Sequence, residues 1–109
     1  MKIAIIGSRT ITVTNFGNYI SKGDELVSGG AHGIDACAAE YAQKNEIQTT
    51  VFLPCYEKYG RAAPIVRNKQ IVDYADKVIA FWDGRSKGTH SVIEYAKKTG
   101  KPYEIILCK

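Results

Sequence analysis

The stretch Leu26-Val27-Ser28-Gly29-Gly30-Ala31-His32-Gly33-Ile34-Asp35 decides the fold. A short apolar run, Glu25–Val27, ends in a glycine-rich turn, and a helical pattern, His32–Lys44, starts from it. In that pattern Ile34, Cys37, Ala38, Tyr41 and Ala42 recur at i, i+3, i+4, i+7 and i+8, one apolar face of a helix. A strand that passes through glycines into a helix is the building unit of an α/β sheet.

Outward from this unit the pattern repeats. Lys2–Ile6, Thr49–Leu53, Lys77–Phe81 and Tyr103–Leu107 are short and rich in β-branched or aromatic residues, as strands are. Their unbroken apolar character suits a parallel sheet covered on both faces. Pro64–Tyr74 reads as a helix with proline in its first turn, where the missing N–H costs nothing. Ile65, Val66, Ile71 and Val72 form its expected inner face. Thr89–Thr99 turns Val92, Ile93 and Ala96 inward, with Gly100 as its stop and Pro102 just beyond. Thr14–Ile20 gives a fainter helical pattern, interrupted by Gly17. Strand and helix alternate, so the chain is predicted to be a three-layer, Rossmann-like α/β domain with right-handed crossovers. Its five parallel strands are expected in the order 3-2-1-4-5. Ligands in such sheets bind beyond the carboxyl ends of the strands, where the order reverses between the first strand and the fourth.

The 109 residues are read as one domain, 1–109. Apolar residues make up 45% and charged residues 24%, which fits a globular chain and excludes disorder, collagen and coiled coil. The longest apolar runs, such as Val78–Trp82, fall far short of the roughly 20 residues of a membrane span. Met1–Gly7 lacks the apolar length and cleavage site of a signal peptide and reads as the first strand of a cytoplasmic protein, with no membrane partner. Cys37, Cys55 and Cys108 are far apart and at no metal-ligand or redox spacing, so three reduced thiols are expected. His32 and His90 have no ligating neighbours, and no metal site is expected. The net charge of +4 tolerates an anionic ligand without requiring one. A dedicated nucleic-acid binder usually carries a denser basic stripe.

The loops after strands one to four are Gly7–Arg9, Ser28–Gly33, Pro54–Arg67 and Trp82–Thr89. They contain seven of the ten glycines and all four arginines, Arg9, Arg61, Arg67 and Arg85, whereas the lysines are spread along the chain. Arginine offers a rigid fork for bidentate contact with phosphate or carboxylate, and lysine does not. An anionic small-molecule site is therefore expected at this edge. Ser28–Asp35 could bring backbone close to a phosphate and aim helix-start N–H groups at it, or could simply pack tightly. Asp35 could bond a ribose hydroxyl or favour the helix dipole. Gly84-Arg85-Ser86-Lys87-Gly88-Thr89 is a second strand-to-helix turn, in which Thr89 either caps the helix or touches phosphate. Glu94 and Asp83 are the carboxylates placed for general acid work, with a solvated role as the alternative. Trp82 and Tyr56 either stack a base or, for Trp82, pack beneath the loop. No serine–histidine–aspartate set is visible.

Four motifs in order, Ile-Gly-Ser-Arg at 6–9, Ser-Gly-Gly-Ala-His-Gly-Ile-Asp at 28–35, Tyr-Gly-Arg-Ala-Ala-Pro-Ile-Val-Arg-Asn at 59–68 and Phe-Trp-Asp-Gly-Arg-Ser-Lys-Gly-Thr at 81–89, resemble the SLOG superfamily. That superfamily joins the Smf/DprA proteins and the LOG phosphoribohydrolases. The resemblance is closest to its small stand-alone YspA-like branch and covers nearly the whole chain. It implies a Rossmann-like fold with a nucleotide-derived ligand at the strand ends and no required cofactor. By motif position it implies Gly7, Ser8 and Arg9 flanking the ligand and Gly29, Gly30 and Gly33 cradling phosphate. Arg67 and Asn68 fall at the family's arginine position, and Gly88 and Thr89 at its second glycine loop. Ser28, His32, Asp35, Arg61, Trp82, Asp83 and Arg85 complete the expected ligand-binding set. In LOG hydrolases an arginine and a glutamate beside the Gly-Thr pair carry N-glycosidic cleavage. Here Arg67 matches, whereas His90 and Ser91 follow Thr89 and Glu94 comes later.

Three functions follow as expectations. The first is binding of a nucleotide or nucleotide-derived ligand by a sensor, carrier or sequestering protein. The second is hydrolysis of a nucleoside 5'-monophosphate to base and ribose 5-phosphate, with Arg67 and Glu94 as catalytic residues. The third is DprA-like binding of single-stranded DNA by Arg61, Arg67, Arg85 and Lys87. The resemblance also implies pairing into homo-oligomers.

Overall fold

A computed structural model describes residues 1–108. The apolar segments form β1 (Lys2–Gly7), β2 (Glu25–Ser28), β3 (Gln48–Val51), β4 (Lys77–Trp82) and β5 (Tyr103–Leu107). They assemble into one all-parallel sheet in the predicted order β3-β2-β1-β4-β5. The helices are α1 (Ile34–Lys44), α2 (Tyr56–Tyr59), α3 (Ala63–Tyr74) and α4 (Lys87–Thr99), with one 3-10 turn at Gly60–Ala62 before α3.

Strand alternation divides the core into two layers. Ile3, Ile5, Leu26, Ile79 and Phe81 face α1, where Ile34, Ala38 and Ala42 meet them. Ala4, Ile6, Val27, Val78 and Ala80 face the other way, onto Ile71 and Val72 of α3 and Val92, Ile93 and Ala96 of α4. Burial on both faces is why β1 and β4 read as continuous apolar runs. The edge strands are more exposed, and β5 shows Tyr103, Ile105 and Leu107 to solvent. Among the described residues no helix is long and apolar enough to cross a membrane.

The structure corrects several boundaries. Thr14–Ile20 is not a helix, and the β1–β2 connection consists of turns and irregular chain. Thr12, Val13 and Thr14 are poor helix starters, and Asn15 Oδ1 accepts the Gly17 N–H at 2.8 Å, a local bond that competes with helix nucleation. The segment still serves the core. Phe16 is fully buried and makes edge-to-face contacts with Tyr41 and Phe81, with ring centroids 5.7 and 5.5 Å away. α1 starts at Ile34 rather than His32, because Gly33 takes a left-handed φ of 75° that no helix contains. α4 starts at Lys87 rather than Thr89, because Ser86 caps it by accepting the Thr89 N–H. β3 ends at Val51, and Leu53 is exposed beyond it.

Because Phe16 substitutes for a missing helix, Phe16→Ala should cost about 3–5 kcal/mol. Chemical denaturation checks this; a loss below about 1 kcal/mol would mean that the connection is not part of the core.

Candidate functional site

At the carboxyl ends of β1, β2 and β4 lies a half-open cleft of about 160 Å³. Ile6, Ile71 and Val92 form its apolar floor. Gly7 and Arg9 contribute from the end of β1, and Ala31 and Asp35 from the turn into α1. Pro64, Arg67 and Asn68 line it from α3, and Ser86, Gly88 and Thr89 from the start of α4. The cleft therefore sits where the strand order reverses.

Arg67 is the fixed cation of this cleft. Its Nη1 donates to the Gly29 carbonyl at 2.7 Å, and its Nε donates to Asn68 Oδ1 at 2.9 Å. Both acceptors are neutral. None of the ion pairs among the described residues involves an arginine; all use lysine, histidine or the N-terminus. The guanidinium is thus oriented but not neutralised, with donors left over for a ligand.

Gly29 explains how Arg67 comes so close. A Cβ there would lie 2.8 Å from Arg67 Nη1 and 3.1 Å from Asp35 Oδ2. The other glycines divide into different roles. A Cβ on Gly33 would lie 2.6 Å from the backbone of Ser8 and Arg9, and one on Gly7 2.6 Å from the Phe81 carbonyl. These two pack α1 against the sheet. A Cβ on Gly30 would meet Leu53 and Val51, so Gly30 faces β3 rather than the cleft. Gly88 has open space around it at the start of α4.

Asp35 is the one carboxyl that lines the cleft, and it is only 5% exposed. Its Oδ2 accepts the Ala31 N–H at 3.2 Å. Burial pushes its pKa up, against the lowering effects of the Ala31 N–H and the Arg67 charge. Asp83 behaves in the opposite way. Its Oδ1 accepts the N–H groups of Ser86 and Arg85, both at 2.8 Å, and these bonds hold its pKa below the usual carboxylate range. That carboxylate shapes the loop and has no tendency to act as an acid.

Of the predicted site residues, Gly7, Arg9, Asp35, Arg67, Asn68, Gly88 and Thr89 line the cleft. Gly29 borders it through its carbonyl. The remaining ones do not. Buried Ser8 accepts the Asp83 N–H through its Oγ and ties the β1 loop to the β4 loop. Ser28 Oγ accepts the Gly30 N–H within its own turn. Trp82 is the last residue of β4; its indole N–H donates to the Ser86 carbonyl at 3.0 Å, and its ring stacks on His90 at 5.6 Å. It packs under the loop. His32, Arg61, Arg85 and Tyr56 are exposed outside the lining. Glu94 is half-exposed on α4 and pairs with His90 and Lys97. Sequence reasoning missed Ser86, Ala31 and Pro64. Ser86 had a findable signal, a Ser-x-x-Thr capping pattern; the other two look like ordinary packing residues.

Comparison with protein-family models, with curated proteins and with solved structures finds no match for this chain.

Two glycine substitutions should separate scaffold from site. Gly33→Ala forces a Cβ into backbone at a left-handed φ and should destabilise by about 2 kcal/mol or more. Gly29→Ala meets only movable side-chain ends on its cleft side, so thermal melting should shift little while the Arg67 guanidinium is displaced. Equal melting losses would refute this division.

The raised pKa of Asp35 gives a pH dependence. Below about pH 4 the carboxyl is protonated in both folded and unfolded chains, and its contribution is fully present. As pH rises the unfolded chain ionises first, so stability is lost until Asp35 ionises in the folded state too. Asp35→Asn removes this loss. Its melting temperature relative to wild type should climb as pH rises from the usual aspartate range, about pH 4; a flat difference would contradict the burial argument.

Proposed function

We propose that the cleft binds the phosphate of a nucleotide-derived small molecule, and that the chain is a SLOG-type domain acting as sensor, carrier or sequestering protein. One observation carries this reading: Arg67 is held by two neutral acceptors in the cleft and makes no direct ion pair among the described residues. A phosphate there would meet the free face of the guanidinium and the N–H groups of Lys87 and Gly88 at the start of α4, where the helix dipole favours an anion. The four motifs shared with the superfamily support the nucleotide component, because their segments converge on this cleft.

Retention of the ligand, rather than cleavage, is favoured by the placement of Glu94 and Asp83, the two carboxylates expected to act as acids, and leaves Asp35 as the one carboxyl in the cleft. Hydrolysis of an N-glycosidic bond needs an acid beside the leaving base. Glu94 is engaged with His90 and Lys97 on the exposed side of α4, and Asp83 is locked in its turn as an ionised group. Binding of single-stranded DNA draws less support, since Arg61 and Arg85 stand outside the cleft that Arg9 and Arg67 share.

Isothermal titration with AMP tests the proposal. Arg67→Lys keeps the charge and loses the fork, so affinity should fall about ten- to a hundred-fold, or about 1–3 kcal/mol, with little change in melting. AMP should be recovered intact after incubation. Equal affinity in the variant, or release of adenine that Glu94→Gln abolishes, would overturn the reading.

A further inference from the structure

Asp35 is unusual in the cleft. It is a carboxyl placed beside the very guanidinium that would hold a phosphate, yet it forms no ion pair with it. The pair meet at Gly29, where an added Cβ would lie 2.8 Å from Arg67 Nη1 and 3.1 Å from Asp35 Oδ2. Oδ2 accepts the Ala31 N–H at 3.2 Å, and the Gly29 N–H also acts to lower the pKa of the carboxyl. A carboxyl only 5% exposed therefore lines the place a ligand would occupy.

The chemistry of that carboxyl selects what it can meet. An anionic oxygen would be repelled by the carboxylate, so the phosphate belongs on the Arg67 and Gly88 side. An apolar group would leave a buried oxygen unpaired, at the cost of a lost hydrogen bond. A hydroxyl suits it in either protonation state, since it donates to the carboxylate and accepts from the acid. Burial holds the carboxyl nearer to neutrality than an exposed aspartate, so a neutral partner fits better than a cationic one.

Resting on the phosphate-binding reading above, we infer that Asp35 is the specificity-determining residue of the cleft and selects sugar phosphates that carry a 2-hydroxyl, ribo over 2-deoxyribo. Arg67 and the start of α4 take the phosphate, and the Asp35 carboxyl takes the 2-hydroxyl. A site that must bond a hydroxyl discriminates strongly against a ligand lacking it, because its own buried polar atom is then left unpaired.

The experiment is calorimetric titration of the intact chain with three probes: inorganic phosphate, 2-deoxyribose 5-phosphate and ribose 5-phosphate. Wild type should bind ribose 5-phosphate at least about fivefold more tightly than the deoxy sugar, the worth of one hydrogen bond. Asp35→Ala should bring that ratio to about one. Asp35→Asn, which can keep the Ala31 bond and present its amide to the hydroxyl, should retain part of the preference and covers the case in which the alanine variant does not fold. Phosphate binding with no ribo preference in wild type would overturn the role of Asp35 and leave the Arg67 clamp standing. A preference that persists unchanged in both variants would do the same. Failure of all three probes to bind would overturn the clamp and this inference together.

Discussion

The hydrogen bond from Arg67 Nη1 to the Gly29 carbonyl joins the helix α3 to the turn after β2, and the candidate site depends on it. It fixes a long, otherwise flexible cation against backbone. The acceptor is neutral, so the fixed cation keeps its charge. A carboxylate in the same place would have oriented Arg67 equally well and cancelled it. Asn68, the next residue on the helix, repeats the choice by offering an amide oxygen to Nε. The same turn supplies Gly29, whose lack of a side chain permits the approach, and leads into the helix start that presents Asp35.

The scaffold around this bond follows from strand physics. β1 and β4 are buried on both faces, so their carboxyl ends are held rigidly, and loops leaving them inherit that rigidity. Ser8 and Asp83 then link the two loops across the reversal point of the sheet. Asp83 spends its carboxylate on two backbone N–H groups, which sets Ser86 in position to cap α4. Charged residues in these loops are thus divided between making the site's shape and supplying its charge.

Much of this was legible in the sequence. The strand order could be read because alternating strands and helices admit few topologies, and unbroken apolar runs such as Ile3–Ile6 and Val78–Phe81 mark central strands. The clustering of arginines in strand-end loops pointed to the edge where the cleft lies; Arg9, Arg67, Asn68, Gly88 and Asp35 line it, and Arg61 and Arg85 do not. What was not legible depended on three-dimensional neighbours. Ser8, Ser28 and Trp82 look like ligand residues from their motifs, but each satisfies a hydrogen bond of the scaffold. Gly29 and Gly30 are adjacent and chemically identical, and only the backbone path tells which one faces Arg67 and which one faces Leu53. Thr14–Ile20 has a helix-like apolar spacing that a single Asn15 turn overrides.

The central claim is that a phosphate seats between Arg67 and the start of α4. Two-dimensional proton–nitrogen NMR during titration with AMP reads this directly. The account predicts saturable shifts at the Arg67 Nε–H and at the backbone amides of Lys87, Gly88 and Gly29. Shifts confined to Arg61, Arg85 or the far end of the sheet near Gly23, or no saturable shift at all, would contradict it.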